Sequence, residues 1–323
     1  MKNSYRKVLA LVLTLAICVM PLLSACGKPV ELSDKIKIGS LNGPTGMGLI
    51  DLQDNEMVEM STYQAPDEVV QKLISGDLDV ACLPSNMGAV LNAKMQGNVK
   101  VLTTIVNGVL YVVENKGNAE AVVTDVSGLK GKTIIASGKG GTPEYVLQAL
   151  LDNAGLEMDK DVKVEWLDAH ADVAQKVMMN EGSLALVPEP FVSTILSKSP
   201  KTEIAIDMNE AWKTMTGSEL PMGILIAKKD LVENRASDVE ALLELVSASI
   251  EDVKSASDEV AAKITEAGFI GDAELCKDVI PRLSLTCMSS EDSRTTLTTF
   301  YETLFEVTPA AVGGAVPDES LFY

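Results

Sequence analysis

The strongest constraint on this chain is an order of elements that occurs twice. Residues 35–41 read as a strand, with Ile36, Ile38 and Leu41 apolar, and a glycine-rich segment follows at once. Residues 57–63 form a second, weaker strand. Residues 66–75 read as a helix: Pro66 suits a first turn, and Val69, Val70, Leu73 and Ile74 share one face. A short buried strand covers 79–83, and Pro84-Ser85-Asn86 opens a helix toward Ala93. Residues 99–113 hold one or two strands. From Lys132 the order returns: strand, glycine loop, helix, strand at 162–166, helix at 171–180, strand at 184–187, then Pro188-Glu189-Pro190. In the second helix Thr142 is placed to cap and Pro143 to begin. Such alternation builds parallel-biased sheets covered by helices. The repetition is of architecture, not of sequence. After an apolar strand at 223–227 the chain is mainly helical, and Ser237 with Glu240 has the spacing of a capping box.

Size and charge narrow the function. The 323 residues suffice for about two domains. With 46 acids against 27 bases the net charge is -19, which argues against a nucleic-acid binder. A single His nearly excludes histidine-rich metal chemistry. The N-terminus carries Lys2, Arg6 and Lys7, an apolar run from Val8 to Val19, and then Leu23-Ser24-Ala25-Cys26. This is a secretory signal, too short for a permanent span. Its end resembles a bacterial lipobox, which implies cleavage before Cys26 and lipid on that thiol. Cleavage removes 25 residues with three bases and no acids, leaving 298 residues at -22. Residues 26–34 then act as a lipid-anchored tether. Of the other cysteines, Cys82 sits in an apolar strand and is expected buried. Cys276 and Cys287 either pair or remain thiols.

Two glycine loops mark the strand ends. The first is Asn42-Gly43-Pro44-Thr45-Gly46-Met47-Gly48 and the second Ser137-Gly138-Lys139-Gly140-Gly141-Thr142. Neither has Walker or dinucleotide spacing. Both precede a helix, whose free N–H groups bind anionic or polar ligands, and small residues let a ligand approach the backbone. The alternative is that the glycines only make turns. Ser85 and Asn86 either donate to a ligand or cap their helix. Thr103, Thr104 and Asn107 follow a strand end. Glu189, held between prolines, either accepts from a ligand or is a solvated loop acid. Trp212 is a candidate stacking platform, Tyr145 points either way, and Trp166 reads as core. His170 reads as a surface residue, and Asp51, Asp54 and Glu56 as helix surface charge. No catalytic constellation stands out.

Several stretches resemble the solute-binding lipoproteins of ABC importers, of the nitrate/taurine/alkanesulfonate type and their thiamine-pyrimidine-precursor-binding relatives. The residues are Lys37-Ile38-Gly39 with its loop, Pro66-Asp67-Glu68-Val69-Val70-Gln71-Lys72-Leu73 and Gly76-Asp77-Leu78-Asp79-Val80-Ala81. Further along come Leu129-Lys130-Gly131-Lys132-Thr133-Ile134 and Pro188-Glu189-Pro190-Phe191. The resemblance implies a two-lobed α/β fold of the periplasmic-binding-protein type (type II), with helices on both faces of mixed sheets and a two-strand hinge. Lobe one would take 35–108 and 225–323, and lobe two 109–224. The solute would lie among Asn42, Gly43, Thr45, Gly46, Pro84, Ser85, Asn86, Thr104, Gly138, Lys139, Gly140, Gly141, Thr142, Glu189 and Trp212. Hinge closure would present it to permease and ATPase subunits.

The chain departs from that family in its arginines. Only Arg6, Arg235, Arg282 and Arg294 exist, and none is expected in the cleft, so Lys139 is the one cleft cation. A highly charged anion therefore fits less well than a neutral, cationic or zwitterionic organic solute. The expected protein is a monomer without cofactor, metal or enzymatic activity. Its alternatives are an extracellular sensor lipoprotein and a pyrimidine-precursor-synthase-like or menaquinone-pathway enzyme of the same fold.

Overall fold

The computed structural model describes residues 32–117, 123–180 and 183–323. The signal segment and Cys26 lie outside the described residues. Two five-stranded sheets share one topology. The first holds β1 (Ile36–Leu41), β2 (Val58–Tyr63), β3 (Val80–Pro84), β4 (Val99–Asn107) and β10 (Pro221–Lys228) in the order β2-β1-β3-β10-β4. The second holds β5 (Leu110–Asn115), β6 (Thr133–Ser137), β7 (Lys163–Leu167), β8 (Leu184–Pro188) and β9 (Thr202–Asp207) in the order β7-β6-β8-β5-β9.

In each sheet three parallel strands lie beside an antiparallel strand inserted before the edge. The inserted strand is the one the chain reaches on crossing between sheets: β5 follows β4 directly, and β10 returns after β9. Two short crossings therefore join the lobes, one at Gly108 and one before Pro221. Gly108 N–H donates to the carbonyl of Leu220 at 2.9 Å, so the crossings are bonded to each other.

The helices cover both faces. They are α1 (Pro44–Gly48), α2 (Pro66–Ser75), α3 (Ser85–Lys94), α4 (Thr142–Asn153), α5 (His170–Met179) and α6 (Phe191–Lys198). Then come α7 (Met208–Thr216), α8 (Lys229–Asn234), α9 (Ala236–Lys254), α10 (Asp258–Glu266), α11 (Ala273–Val279) and α12 (Ser290–Val307). Helix α2 forms where the sequence places it, its Val69, Val70 and Leu73 buried on one face and left-handed Gly76 ending it.

Two expected caps are not used. Thr142 is the first helical residue, behind Gly141, and its hydroxyl bonds elsewhere. Helix α9 starts after Arg235 without a side-chain cap. The buried residue there is Asp238, whose carboxylate accepts from Ser33 N and Oγ, both at 2.7 Å, and from Arg235. A tertiary partner outcompetes the local capping pattern. Strand β9 leads directly into helix α7, and Asp207 caps α7 by accepting from Asn209 N and Glu210 N.

Apolar packing runs through both lobes. One buried cluster takes Leu83 and Val101 from the first sheet, Ile134 and Leu147 beside the second, and Trp212 with Phe300 where the lobes meet. A second lies on the other face of the first lobe and a third on the other face of the second. Cys82 is buried in the second cluster, and burial pushes its thiol far above the usual range, so it is inert. Cys276 and Cys287 are free thiols. No helix of the described residues is long and apolar enough to cross a membrane.

Candidate functional site

In open α/β sheets, ligands sit outside the carboxyl ends of the parallel strands. Here β1 ends at the first glycine loop, β3 at Ser85-Asn86, β6 at the second loop and β8 at Glu189. Polar side chains are buried at these ends: Ser40, Thr45, Ser85 and Asn86 in lobe one, and Ser137, Thr142, Glu189 and Ser193 in lobe two. Burying a polar group costs free energy unless it finds a partner, so their partners are informative.

The lobes meet at two helix N-termini. Thr142 Oγ1 donates to Asn86 Oδ1 at 2.9 Å, and Asn86 Nδ2 donates to the carbonyl of Ala311 at 3.2 Å. Asn86 therefore bridges α3, α4 and the C-terminal segment. Its neighbour Ser85 is fully buried, and neither its Oγ nor Asn107 Oδ1 has a protein partner. The Ser85 carbonyl accepts from Tyr301 Oη at 3.0 Å.

The first loop is shaped by packing. A Cβ on Gly46 would lie 2.5 Å from the Phe269 ring and 2.6 Å from the Leu41 carbonyl, and one on Gly223 would lie 2.7 Å from Thr45. Gly43 is buried with nothing near its missing Cβ, Pro44 is half-buried and Asn42 is exposed. Thr104 lies deeper, its Oγ1 sharing a hydrogen bond of 2.9 Å with Ser293 Oγ. Pro84 is half-buried at the end of β3.

The second loop satisfies much of its own backbone. Gly138 and Gly140 have φ of 86° and 77°, left-handed values that favour glycine. Gly140 N–H donates to Glu144 at 2.5 Å, Tyr145 Oη donates to the Gly140 carbonyl at 3.1 Å, and Gly141 N–H to the Gly138 carbonyl at 3.1 Å. Lys139 is exposed.

Two residues differ from their sequence readings, and for a third, Glu189, one of two open alternatives falls away. His170 is half-buried, not a free surface side chain. Its Nδ1 lies 2.5 Å from Ser137 Oγ, its ring packs against Phe191 at 5.6 Å, and burial pushes its pKa down to about 4. Arg282, expected outside the cleft, reaches lobe two: its Nη1 donates to Ser193 Oγ at 3.0 Å. Nothing local marks either residue, since their partners lie 33 and 89 positions away. Glu189 is a buried acid and not a solvated one. It accepts from Ser193 N at 3.1 Å and Ser193 Oγ at 2.9 Å. Burial holds its carboxyl above the usual range, while Ser193 and the Arg282 charge pull the other way.

Trp212 is fully buried in the seam, with Phe300 tilted against it at 5.6 Å and its Nε1 unpartnered. Lys263 sits 2.7 Å from Asp51 and 3.0 Å from Asp54, so those acids are ion-paired. Among the described residues no group of three or more His, Cys, Asp or Glu could hold a metal ion. A groove of about 510 Å³ lies elsewhere on lobe two, by the C-terminal turn of α4 at Leu150, Asn153 and Ala154.

Solved structures share this architecture. That of an ABC transporter protein from Parabacteroides distasonis matches with a TM-score of 0.76 at 20% identity, covering 90% of this chain and 99% of that one. The periplasmic aliphatic sulphonate binding protein SsuA of Escherichia coli matches with a TM-score of 0.69 at 16% identity, covering 90% and 92%. The periplasmic nitrate-binding protein NrtA of Synechocystis matches with a TM-score of 0.59 at 16% identity, covering 87% and 84%. Likeness at such identity establishes the two-lobed periplasmic-binding-protein fold. No curated protein matches the sequence. A family model described as menaquinone biosynthesis matches residues 45–306, more than half of the chain, and the chain belongs to that family.

Proposed function

We propose that the chain is the extracytoplasmic solute-binding component of an ABC importer. It captures a small organic solute between its lobes, closes about the hinge and delivers the solute to a permease. One observation carries this reading: strand-end loops of both lobes converge on one seam, joined by the Thr142–Asn86 hydrogen bond. That arrangement stands on a fold shared with sulphonate- and nitrate-binding proteins. The groups at the seam are hydroxyls, amides, the Glu189 carboxyl, the His170 imidazole and the Arg282 guanidinium, which suits reversible binding by a few placed polar groups. Lobe one is assigned residues 35–108 and 221–323, because β10 begins at Pro221 in the first sheet, and lobe two 109–220; the solute is assigned the loops at 42–46, 84–86 and 138–142 with Thr104, Glu189 and Trp212. The N-terminal sequence supports a lipid anchor at Cys26, where two or more acyl chains give stable attachment.

The test is native mass spectrometry of the purified protein, before and after exposure to nitrogen, sulfur and vitamin-like solutes. One solute bound stoichiometrically and released unchanged is the expected result. A second reading, an enzyme of the same fold, rests on the description of the family model. Chemical conversion of the bound compound would establish that reading and remove the first.

A further inference from the structure

Ser137 ends β6 and is 1% exposed. Its hydroxyl has one partner, His170 Nδ1, at 2.5 Å. A buried hydroxyl needs an acceptor for its proton, and Nδ1 is the acceptor in reach. With the Ser137 hydroxyl as donor, Nδ1 is unprotonated and in the neutral ring the proton sits on Nε2. Phe191, two residues beyond Glu189, packs against the same ring at 5.6 Å. The imidazole is thus fixed over the ends of β6 and β8, which are adjacent parallel strands. Carboxyl ends of parallel strands are where such sheets receive ligands. Among the described residues no group bonds Nε2, and it is not one of the buried orphan atoms, so this N–H is open to a group from outside the chain.

We propose that His170 is a specificity-determining residue of lobe two, donating from Nε2 to an acceptor oxygen of the solute, with Ser137 as its positioning residue. The proposal rests on the solute-capture reading above and adds a requirement to it. The solute must carry a carbonyl, carboxylate or sulfonate-type oxygen on the side facing lobe two. Because burial keeps the ring uncharged at neutral pH, the donor does not itself demand an anion.

The chain contains a single histidine, so histidine labelled with nitrogen-15 gives one imidazole by NMR without assignment. In the purified full chain the Nε2–H tautomer is expected, and Ser137→Ala should mix the tautomers. The probes are taurine, nitrate and uracil, which present acceptor oxygens, and tetramethylammonium, which presents none. Any of the first three that binds by calorimetry should move the Nε2 signal. His170→Phe should then weaken it by about tenfold, the scale of one lost hydrogen bond, while His170→Gln, which keeps a donor, should restore part of the affinity. An Nδ1–H tautomer, a bound probe that leaves the imidazole unmoved, or an imidazole unmoved by every probe would overturn the proposal while leaving solute capture standing. Conversion of a bound probe would overturn both.

Discussion

Gly108 and Gly140 are glycine for different physical reasons. A Cβ on Gly108 would lie 2.2 Å from Asn209 Cβ and 2.4 Å from its Cγ. Asn209 cannot step aside, because its Oδ1 accepts from Leu220 N at 2.9 Å and its Nδ2 donates to Glu219 at 3.1 Å. Both crossings are therefore built around that missing side chain. Gly108→Ala should cost about 1–3 kcal/mol, as overpacking does, in urea unfolding. Gly140 has open space around it and only its φ of 77° to defend. Gly140→Ala should cost about 1–2 kcal/mol from the left-handed backbone and leave the lobe contact unchanged. The sequence marks Gly140 through its loop but not Gly108, because Asn209 is a distant partner.

His170 and Glu189 give opposite responses to acid. The folded imidazole is pushed down to about 4 from its ordinary value of 6.5. An unfolded chain takes up that proton first, so this contribution is complete above the ordinary value and is lost as pH falls through the window to about 4. Burial holds the Glu189 carboxyl above its usual range. On acidification it is protonated first in the folded state, so its contribution rises as pH falls. Urea midpoints followed from neutral to acid pH should drop more steeply in Glu189→Gln than in the wild type. In His170→Phe they should drop less steeply. Parallel curves for all three proteins would contradict both assignments.

At the scale of elements, α3 and α4 meet end to end. Each lacks a side-chain cap, and each brings a polar residue in its first two positions, Asn86 and Thr142, to the other. Helix N-termini carry partial positive charge, so abutting them is unfavourable unless something joins or separates them. Here the Thr142 hydroxyl and the Asn86 amide join them. In a double-mutant cycle of Asn86→Ala and Thr142→Ala, the coupling energy between the two helix starts should be about 0.5–1.5 kcal/mol, read by hydrogen exchange at both. Additive effects would mean the two helix starts are stabilised independently.

The same elements show where sequence reasoning stops. The strands and α2 are legible because burial imposes periods of two and 3.6 on their residues. The glycine loops are legible because left-handed turns favour glycine. The seam is legible only through the family resemblance, which puts Asn86 and Thr142 around one cleft: from its neighbours Thr142 reads as a cap, and the fold supplies its bond to Asn86, 56 positions away. Arg282 is hidden for the same reason, since its contact with Ser193 arises when lobe one's C-terminal segment reaches lobe two. Local pattern fixes elements, whereas site residues are fixed by which elements the topology brings together.

At the scale of the molecule, the contact between the lobes has an apolar component as well as polar ones. Trp212 lies on α7 in lobe two and is fully buried, while Phe300, 5.6 Å away, lies on α12, which packs on α4 across the seam. Tyr301, next to Phe300, bonds the carbonyl of Ser85. The aromatic contact thus connects the lobe seam to the strand end of β3. With its ring tilted against Phe300, Trp212 is part of the apolar contact between the lobes, and its indole should become wetter whenever the lobes part. Solute that favours the closed form would shift that population and should blue-shift and protect the Trp212 emission. Trp166, half-buried at the end of β7, provides a second signal. Trp212→Phe separates the two: the solute-dependent change should vanish in it and persist in Trp166→Phe. Phe300→Ala, which removes the partner ring, should cost about 3–5 kcal/mol and leave Trp212 open to acrylamide quenching even with solute present. If the Trp212→Phe protein keeps the full solute response, the aromatic contact is static packing and takes no part in the response to solute.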